Sequence, residues 1–435
     1  MRLENLTDCG CGKTHCALLE EYAVGDGVLS LVPEYVKKYG GTKAFMLSDR
    51  NTFDAAGERL CGILKDNGIP FVSHVFPAAP LKPDEETVGS AVMHYDASCD
   101  IIIGVGSGVI NDTCKILHHL TGRPYIIAAT APSMDGYSSA SSSMERDGLK
   151  ISLSTDCPNA VLGDLDVLTR APERMLSSGI GDMLAKYISI AEWRISNIIN
   201  GEYYCEHIAG MVRAALKKCT DNAGGLLRRD KDAVRAVFEG LVISGVAMNY
   251  AGISRPASGV EHYFSHVWDM RALEFGFPSD LHGIQCAIGT LYAARIYDQL
   301  RQIRPDREKA LRYVRSFDYA QYSNSLRKFI GRGADAMIAL EEREQKYSPE
   351  LHEKRLNTII ERWDDILAVI DEEVPHASDI ERLLDVIRAP KSIAEIGLDP
   401  SILPMSFHAT KDIRDKYVLS RLCWDLGIID EIDIF

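Results

Sequence analysis

The sequence predicts an α/β protein in two parts. A parallel sheet with helices on both faces spans residues 1–168, an all-helical domain spans 169–435, and a cleft lies between them. Three observations predict this. Short apolar runs alternate with helix-like stretches through the first third of the chain. From about residue 172, after "TRAPERMLSSGIGD", helix follows helix with few strand candidates. At 435 residues the chain is also too long for one core.

Taken in order, "KAFMLSD" gives a buried strand over 44–49, with Asn51 or Thr52 capping the helix "FDAAGERLCGILKDNG". "PFVSHVF" (70–76) is a second strand, "CDIIIGVGSG" (99–108) a third and "PYIIAAT" (124–130) a fourth. "GLKISLSTDCPNAVLGDLDVL" (148–168) is expected to be a closing hairpin or pair of strands. Beyond it lie strongly charged helix faces such as "MIALEEREQKYSPELHEKRLNTIIERW".

Composition narrows the function classes. A formal charge of −14 argues against nucleic acid or anionic membrane as partner, since either calls for a basic stripe. No apolar run is long enough to span a bilayer, and "MRLENLTDCGCGKTH" lacks the pattern of a signal peptide. Eleven scattered cysteines fit reduced thiols and a cytoplasmic location better than a disulfide framework.

The chemistry-bearing stretches begin with "GVGSGVINDTCK" (104–115), where glycines lead from a strand into a helix. Such a turn lets backbone approach a ligand, and the open N–H groups of the helix start suit a phosphate. It lacks the third glycine of the G-x-G-x-x-G fingerprint and is also compatible with an unliganded turn. Asp49, at a strand end, could bond an adenosine ribose or simply cap a helix. The hydroxyl-rich loop "TAPSMDGYSSASSSM" (130–144) carries one carboxylate, Asp135, that could accept bonds from substrate hydroxyls; Thr130, Ser133 and Ser139 could serve a cofactor.

In "SGVEHYFSHVWDM" (258–270), His262 and His266 stand four apart, on one face of a helix. A catalytic metal needs about three protein ligands and an open position. His262, His282 of "DLHGIQCAIG" and Asp182 of "GIGDMLAKYISIAEW" are the candidates, a set suited to Zn²⁺ with Fe²⁺ or Ni²⁺ as alternatives.

The ordered set "GVGSGVINDTCK", "TAPSMDGYSS", "GIGDMLAKYIS", "SGVEHYFSHVWD" and "LHGIQCAIGT" resembles the motifs of sn-glycerol-1-phosphate dehydrogenases of the longer, bacterial type. These belong to the superfamily of glycerol dehydrogenase, iron-containing alcohol dehydrogenase and dehydroquinate synthase. The resemblance implies a Rossmann-like nucleotide-binding domain before an all-helical metal-binding domain. It implies Asp182, His262 and His282 as metal ligands, with His266 beside the substrate and Asp135 contacting it. It implies NAD or NADP contacts at Asp49, at Gly108, Val109, Ile110, Asn111 and Asp112, at Thr130, Ala131, Pro132 and Ser133, and at Ser139, with Lys115 close by. Arg50 leaves NAD and NADP both open.

The implied reaction is reversible hydride transfer between NAD(P)H and dihydroxyacetone phosphate, giving sn-glycerol 1-phosphate. A divalent metal (Zn²⁺ first, Ni²⁺ or Fe²⁺ next), a small phosphorylated C3 substrate and a homo-oligomer of dimer size or larger go with it. The rival readings are a dehydrogenase for glycerol or another small polyol, and a dehydroquinate-synthase-like lyase or cyclase; that last family usually has Glu where Asp182 stands. No basic motif announces the substrate phosphate site; Lys411, Arg414 and Lys416 of "HATKDIRDKY" could neutralise it, but they read more readily as a surface helix face. "DCGCGKTHC" (8–16) looks like a metal knuckle, but its C-x-C spacing and the lack of a second ligand pair weigh against a structural zinc. Glu192 and Trp193 read as helix packing, and His118 and His119 as surface residues.

Overall fold

The computed structural model describes residues 2–77 and 80–435. The chain divides into two compact units, Met1–Met183 with Gly210–Ile253, and Leu184–Ala209 with Ser254–Phe435. The boundary expected at residues 168 and 169 thus falls inside the first unit.

That unit is built on six strands: β1 (Glu21–Gly25), β2 (Ala44–Asp49), β3 (Phe71–Phe76), β4 (Ile101–Gly106), β5 (Tyr125–Ala129) and β8 (Ala160–Asp164). They form one sheet in the order β1-β8-β5-β4-β2-β3, every pair parallel. All residues of β4, β5 and β8 are buried. Strands covered on both faces must be apolar throughout, which is why they read as unbroken runs rather than alternations. The edge strand β1 is short and mostly half-buried, and its sequence carried no such signal.

Residues 148–168 hold the expected pair of strands, Leu149–Ser154 and Ala160–Asp164, but not as a hairpin with each other, and the polar loop departs from expectation. Ser141–Arg146 (β6) and Leu149–Ser154 (β7) form a separate antiparallel hairpin. Its tip is Asp147-Gly148, both at positive φ (54° and 70°), the pairing a tight two-residue hairpin requires. The hairpin partner of β7 is therefore the end of the hydroxyl-rich loop, while β8 enters the parallel sheet. The helix cap after β2 is Asp49 rather than Asn51 or Thr52: its carboxylate accepts from Thr52 N–H (2.9 Å), and Thr52 Oγ1 accepts the Asp49 N–H in return (3.0 Å).

Four helices matter for this unit. α1 (Gly108–Thr121) follows β4, and α2 (Glu173–Leu184) follows β8. α3 (Lys186–Asn200) belongs to the second unit; α4 (Glu206–Asp221) begins there and runs back into the first. α5 (Lys231–Ala251) then packs on the turn Asp135–Ser138 and on β1. The approach is close: a Cβ on Gly245 would stand 2.1 Å from Ser138 Oγ. This packing returns residues 210–253 to the sheet unit, although their sequence is purely helical.

The second unit is helical, and among the described residues no strand follows Asp164. Its central pair is α6 (Val260–Phe275) and α7 (His282–Leu300). Gly289 lets them meet at backbone distance, since a Cβ there would fall 2.6 Å from the Glu261 carbonyl oxygen. α7 is buried on nearly all sides, as a helix without a polar face must be. Among the described residues, no helix is long and apolar enough to cross a membrane.

Candidate active site and metal centre

The site grows from the first turn of α6. Gly259 caps the helix, and the buried carboxylate of Glu261 turns back to accept the Gly259 N–H at Oε1 (2.7 Å). The same oxygen lies 2.8 Å from His262 Nδ1. A carboxylate oxygen accepts, so Nδ1 carries the proton and the Nε2 lone pair is directed away. The pattern "GVEH" thus encodes a helix cap and a tautomer lock in adjacent residues.

His282 opens α7. Ser265 Oγ lies 3.1 Å from its Nδ1, and the rings of His262 and His282 are 5.0 Å apart, centroid to centroid. Cys286, one turn on, brings Sγ to 3.5 Å from His282 Nε2. Burial pushes this thiol up, but His262 and His282 outweigh it and hold the thiol below its usual range. Asp182 stands on the last turn of α2, two residues before Leu184. Within the second unit His262, His282 and Cys286 each offer a ligand atom, and these atoms all lie within 4.8 Å of one another. Two imidazoles and a thiol suit a borderline divalent cation, and the locked His262 is in the tautomer that such an ion takes. Cys286 went unread in the sequence, although its i, i+4 spacing from His282 on an apolar helix was a usable signal.

His266 lies outside this donor group. It is partly exposed, with its ring 6.1 Å from that of His282 and turned 23° from it. It stands beside the donors and not among them.

The polar loop is anchored to α2. Asp135 donates its N–H to Asp182 Oδ2 (2.9 Å), and Ser244 Oγ donates to Asp135 Oδ2 (2.8 Å). Ser178 Oγ donates to the Ser133 carbonyl (2.8 Å). Gly179 is required here, because a Cβ would lie 1.8 Å from the Pro132 carbonyl oxygen. The loop and the metal-capable carboxylate are therefore positioned by one helix face, the "SSGIGD" turn.

The expected cofactor positions gather at strand ends. β2 and β4 are neighbours, with Ser48 opposite Val105, so Asp49 and the Gly106–Gly108 turn lie at adjacent carboxyl ends. Chain order reverses at this pair, since β3 lies beyond β2 and β5 beyond β4. Such a switch point is where open α/β sheets bind ligands. The glycines have separate reasons. A Cβ on Gly106 would lie 2.5 Å from Ile110 Cβ, whereas one on Gly108 would meet only Met134 at 3.7 Å. Gly106 lets α1 pack on its strand, and Gly108 leaves room at the helix start.

Ile110 and Asn111 are buried, so backbone is what the first turn can present. Asn111 is committed inside, accepting from Tyr125 OH (3.0 Å) and donating to the Gly136 carbonyl (3.0 Å). Lys115 is wholly buried, pairs with Asp112 (3.0 Å) and donates to Gly136 O and Ser139 Oγ (3.0 and 3.2 Å). It fastens α1 to the polar loop. Thr130 donates its N–H to the Gly106 carbonyl (3.1 Å), joining the two loops directly.

Other readings resolve clearly. Glu192 is buried, and its two oxygens accept the N–H groups of Val260 (3.0 Å) and Leu419 (2.8 Å). Burial first, then the charge of Glu261, pushes its pKa up to about 8. Lys411 is fully buried against Asp412 (3.4 Å), and Lys416 donates to Ser258 (2.9 Å to O, 2.7 Å to Oγ). The stretch 411–416 is a turn, not the surface helix face expected.

Residues 23–172 match the family model described as iron-containing alcohol dehydrogenase. The chain is 29% identical to a glycerol-1-phosphate dehydrogenase (NAD(P)+) of Halalkalibacterium halodurans, over 95% of this chain and 94% of that one. It is 34% identical to the Bacillus licheniformis protein of the same name, over 68% of this chain and 75% of the relative. The chain belongs to the glycerol-1-phosphate dehydrogenase (NAD(P)+) family. Its fold is also that of glycerol dehydrogenase from Schizosaccharomyces pombe, with a TM-score of 0.60 at 19% identity, covering 95% of this chain and 89% of that one.

Proposed function

We propose that the protein is an NAD(P)-dependent sn-glycerol-1-phosphate dehydrogenase, reducing dihydroxyacetone phosphate at C2 in a reversible hydride transfer. What supports it is the family membership together with one observation: His262 and His282, twenty residues apart in sequence, bring donor atoms within 4.8 Å of one another and of Cys286. Asp182, His262 and His282 would hold a divalent cation, and that cation would supply Lewis-acid polarisation of the C2 oxygen. Zn²⁺ suits the set first, with Ni²⁺ and Fe²⁺ next.

The chain's own residues do the rest. Glu261 holds His262 in one tautomer and orientation. Ser265 orients the His282 ring through its hydroxyl, which can either donate to Nδ1 or accept from it. His266, beside the donors and partly exposed, exchanges the hydroxyl proton at a ring nitrogen. Asp135, tied to Asp182 through its backbone, orients a substrate hydroxyl. Backbone N–H groups of Gly108, Val109 and Ile110 receive the dinucleotide phosphates, whereas the Asn111 N–H is spent on the Ser107 carbonyl (2.9 Å); Asp49 takes the ribose, and Thr130–Ser133 with Ser139 the nicotinamide half. The hydride is the cofactor's, and the protein supplies placement and charge. The enzyme works in the cytoplasm as a homo-oligomer.

NADH and NADPH oxidation with dihydroxyacetone phosphate, run with Zn²⁺, Ni²⁺ and Fe²⁺ and followed by chiral analysis of the product, tests this. Metal-dependent formation of sn-glycerol 1-phosphate is expected. Turnover of glycerol with none of dihydroxyacetone phosphate would make it a polyol dehydrogenase. A reaction without net NAD(P)H consumption would place it with the lyases.

A further inference from the structure

The substrate proposed above carries a phosphate, and beside the first turn of α6 the second unit offers a cation to receive it. The stretch 411–416 holds three basic residues, and the fold treats each differently. Lys411 is wholly buried and paired with Asp412 (3.4 Å). Arg414 is exposed. Lys416 is partly exposed, and its ammonium sits on Ser258, donating to the backbone oxygen (2.9 Å) and to Oγ (2.7 Å). An ammonium has three donors, so one remains unspent. Among the described residues no carboxylate forms an ion pair with it.

Two features place this ammonium at the substrate. The first is position. Ser258 immediately precedes Gly259, the cap of α6, and stands four residues before His262. Four residues of helix rise about 6 Å, the scale on which a three-carbon ester separates its phosphate from its C2 oxygen. The ammonium also lies 5.9 Å from the ring of Tyr263, whose centroid is 6.1 Å from that of His266. The second feature is charge. Burial first, then Arg255, pull the Lys416 pKa down to about 7, against the opposite pull of Glu261, Glu192 and Glu202. Those carboxylates are already engaged. Glu261 accepts from Gly259 N–H and His262, Glu192 from the N–H groups of Val260 and Leu419, and Glu202 from Arg255 (2.7 Å). The charge of Lys416 is therefore uncompensated in place, and a bound anion corrects that.

We propose that Lys416 is the phosphate anchor of the substrate site, its free N–H pairing with a phosphate oxygen of dihydroxyacetone phosphate while Ser258 holds the ammonium in position. This rests on the reaction proposed above and supplies what that reading lacks, a residue that separates a phosphorylated C3 substrate from glycerol and other neutral polyols. An ammonium serves phosphate as a point charge with a charge-assisted hydrogen bond.

Steady-state kinetics of the metal-loaded full-length protein test the anchor. In Lys416→Met the KM for dihydroxyacetone phosphate should rise about 10–100-fold with kcat little changed, and competitive inhibition by inorganic phosphate should weaken by a similar factor. Lys416→Arg should recover most of the loss, Arg414→Met should match wild type, and metal content should be the same in all. An unchanged KM in Lys416→Met overturns the proposal. So does a rise as large in Lys416→Arg, or an equal rise in Arg414→Met. Should Lys416→Met not fold, Lys416→Gln, which keeps a donor for Ser258 and loses the charge, is held to the same expectation. If the wild type does not turn over dihydroxyacetone phosphate, the proposed reaction fails and the anchor with it. A wild type that does, with a KM indifferent to Lys416, leaves the reaction standing and removes the anchor alone.

Discussion

Replacing Glu261 isolates the contribution of histidine orientation to metal binding. Its Oε1 serves two donors at once, Gly259 N–H at 2.7 Å and His262 Nδ1 at 2.8 Å. In Glu261→Ala both lose their acceptor. His262 is only 5% exposed, so water cannot readily take the place of the carboxylate. A buried donor left unpaired costs about 1–3 kcal/mol. The ring can escape that cost by rotating or by moving its proton, and either change spoils Nε2 as a ligand. Loss of such a support weakens metal binding by about 10–100-fold, or about 1.4–2.8 kcal/mol. Glu261→Gln keeps an acceptor oxygen for both donors and loses only the charge, so a weakening of a few-fold is expected. Competitive titration against a chromophoric chelator measures both variants, with activity at saturating metal as the companion readout. Wild-type affinity in the alanine variant would refute the reasoning. Equal weakening in both variants would refute it too, because charge and not orientation would then be the cause.

Gly179→Ala drives a methyl group to 1.8 Å from the Pro132 carbonyl, more than an ångström inside normal contact. A loss of about 1–3 kcal/mol in denaturant melts is expected, with weaker NAD(P)H binding in a fluorescence titration as the loop shifts. Lys411 has its pKa lowered to about 8 by burial, opposed by Asp412, with Arg421 and Glu341 also facing it. Between that value and its ordinary one near 10.5, the unfolded chain binds more protons, so this residue makes stability rise with pH across that window. Across pH 8 to 9.5 the rise is on the order of 2 kcal/mol, and in urea melts the difference between wild type and Lys411→Met should carry it. Cys286→Ser removes the soft donor beside His282, so chelator competition should show Zn²⁺ affinity falling relative to Ni²⁺. His266→Ala should lower kcat while leaving metal content, measured by mass spectrometry, unchanged.

Much of the sheet was legible because a strand buried on both faces must be apolar along its whole length. The runs at 44–49, 101–106 and 125–129 carry that mark, and β1, half-buried at the edge, does not. The hairpin of β6 and β7 was not legible because its first strand, "SSSMER", is polar and looks like loop until its partner is known. The residue types offered Asp182, His262 and His282 as metal candidates, and the resemblance made them one set. Spacing alone showed two histidines on one helix face and could not say that His266 stands beside the donors.

The sequence by itself determined the local elements: strand runs, the helix start at Gly108, the histidines of α6 and α7, and the family motifs that carry the chemistry. The tertiary structure decided every partnership. It assigned Glu261 to His262, buried Lys115 under the polar loop, packed Gly179 on Pro132, and set Cys286 beside the histidines. Periodicity and propensity act over a few residues, whereas these contacts join segments brought together only when the sheet and helices pack. A side chain's chemistry follows from its neighbours, and most of the neighbours that matter here are distant in the chain.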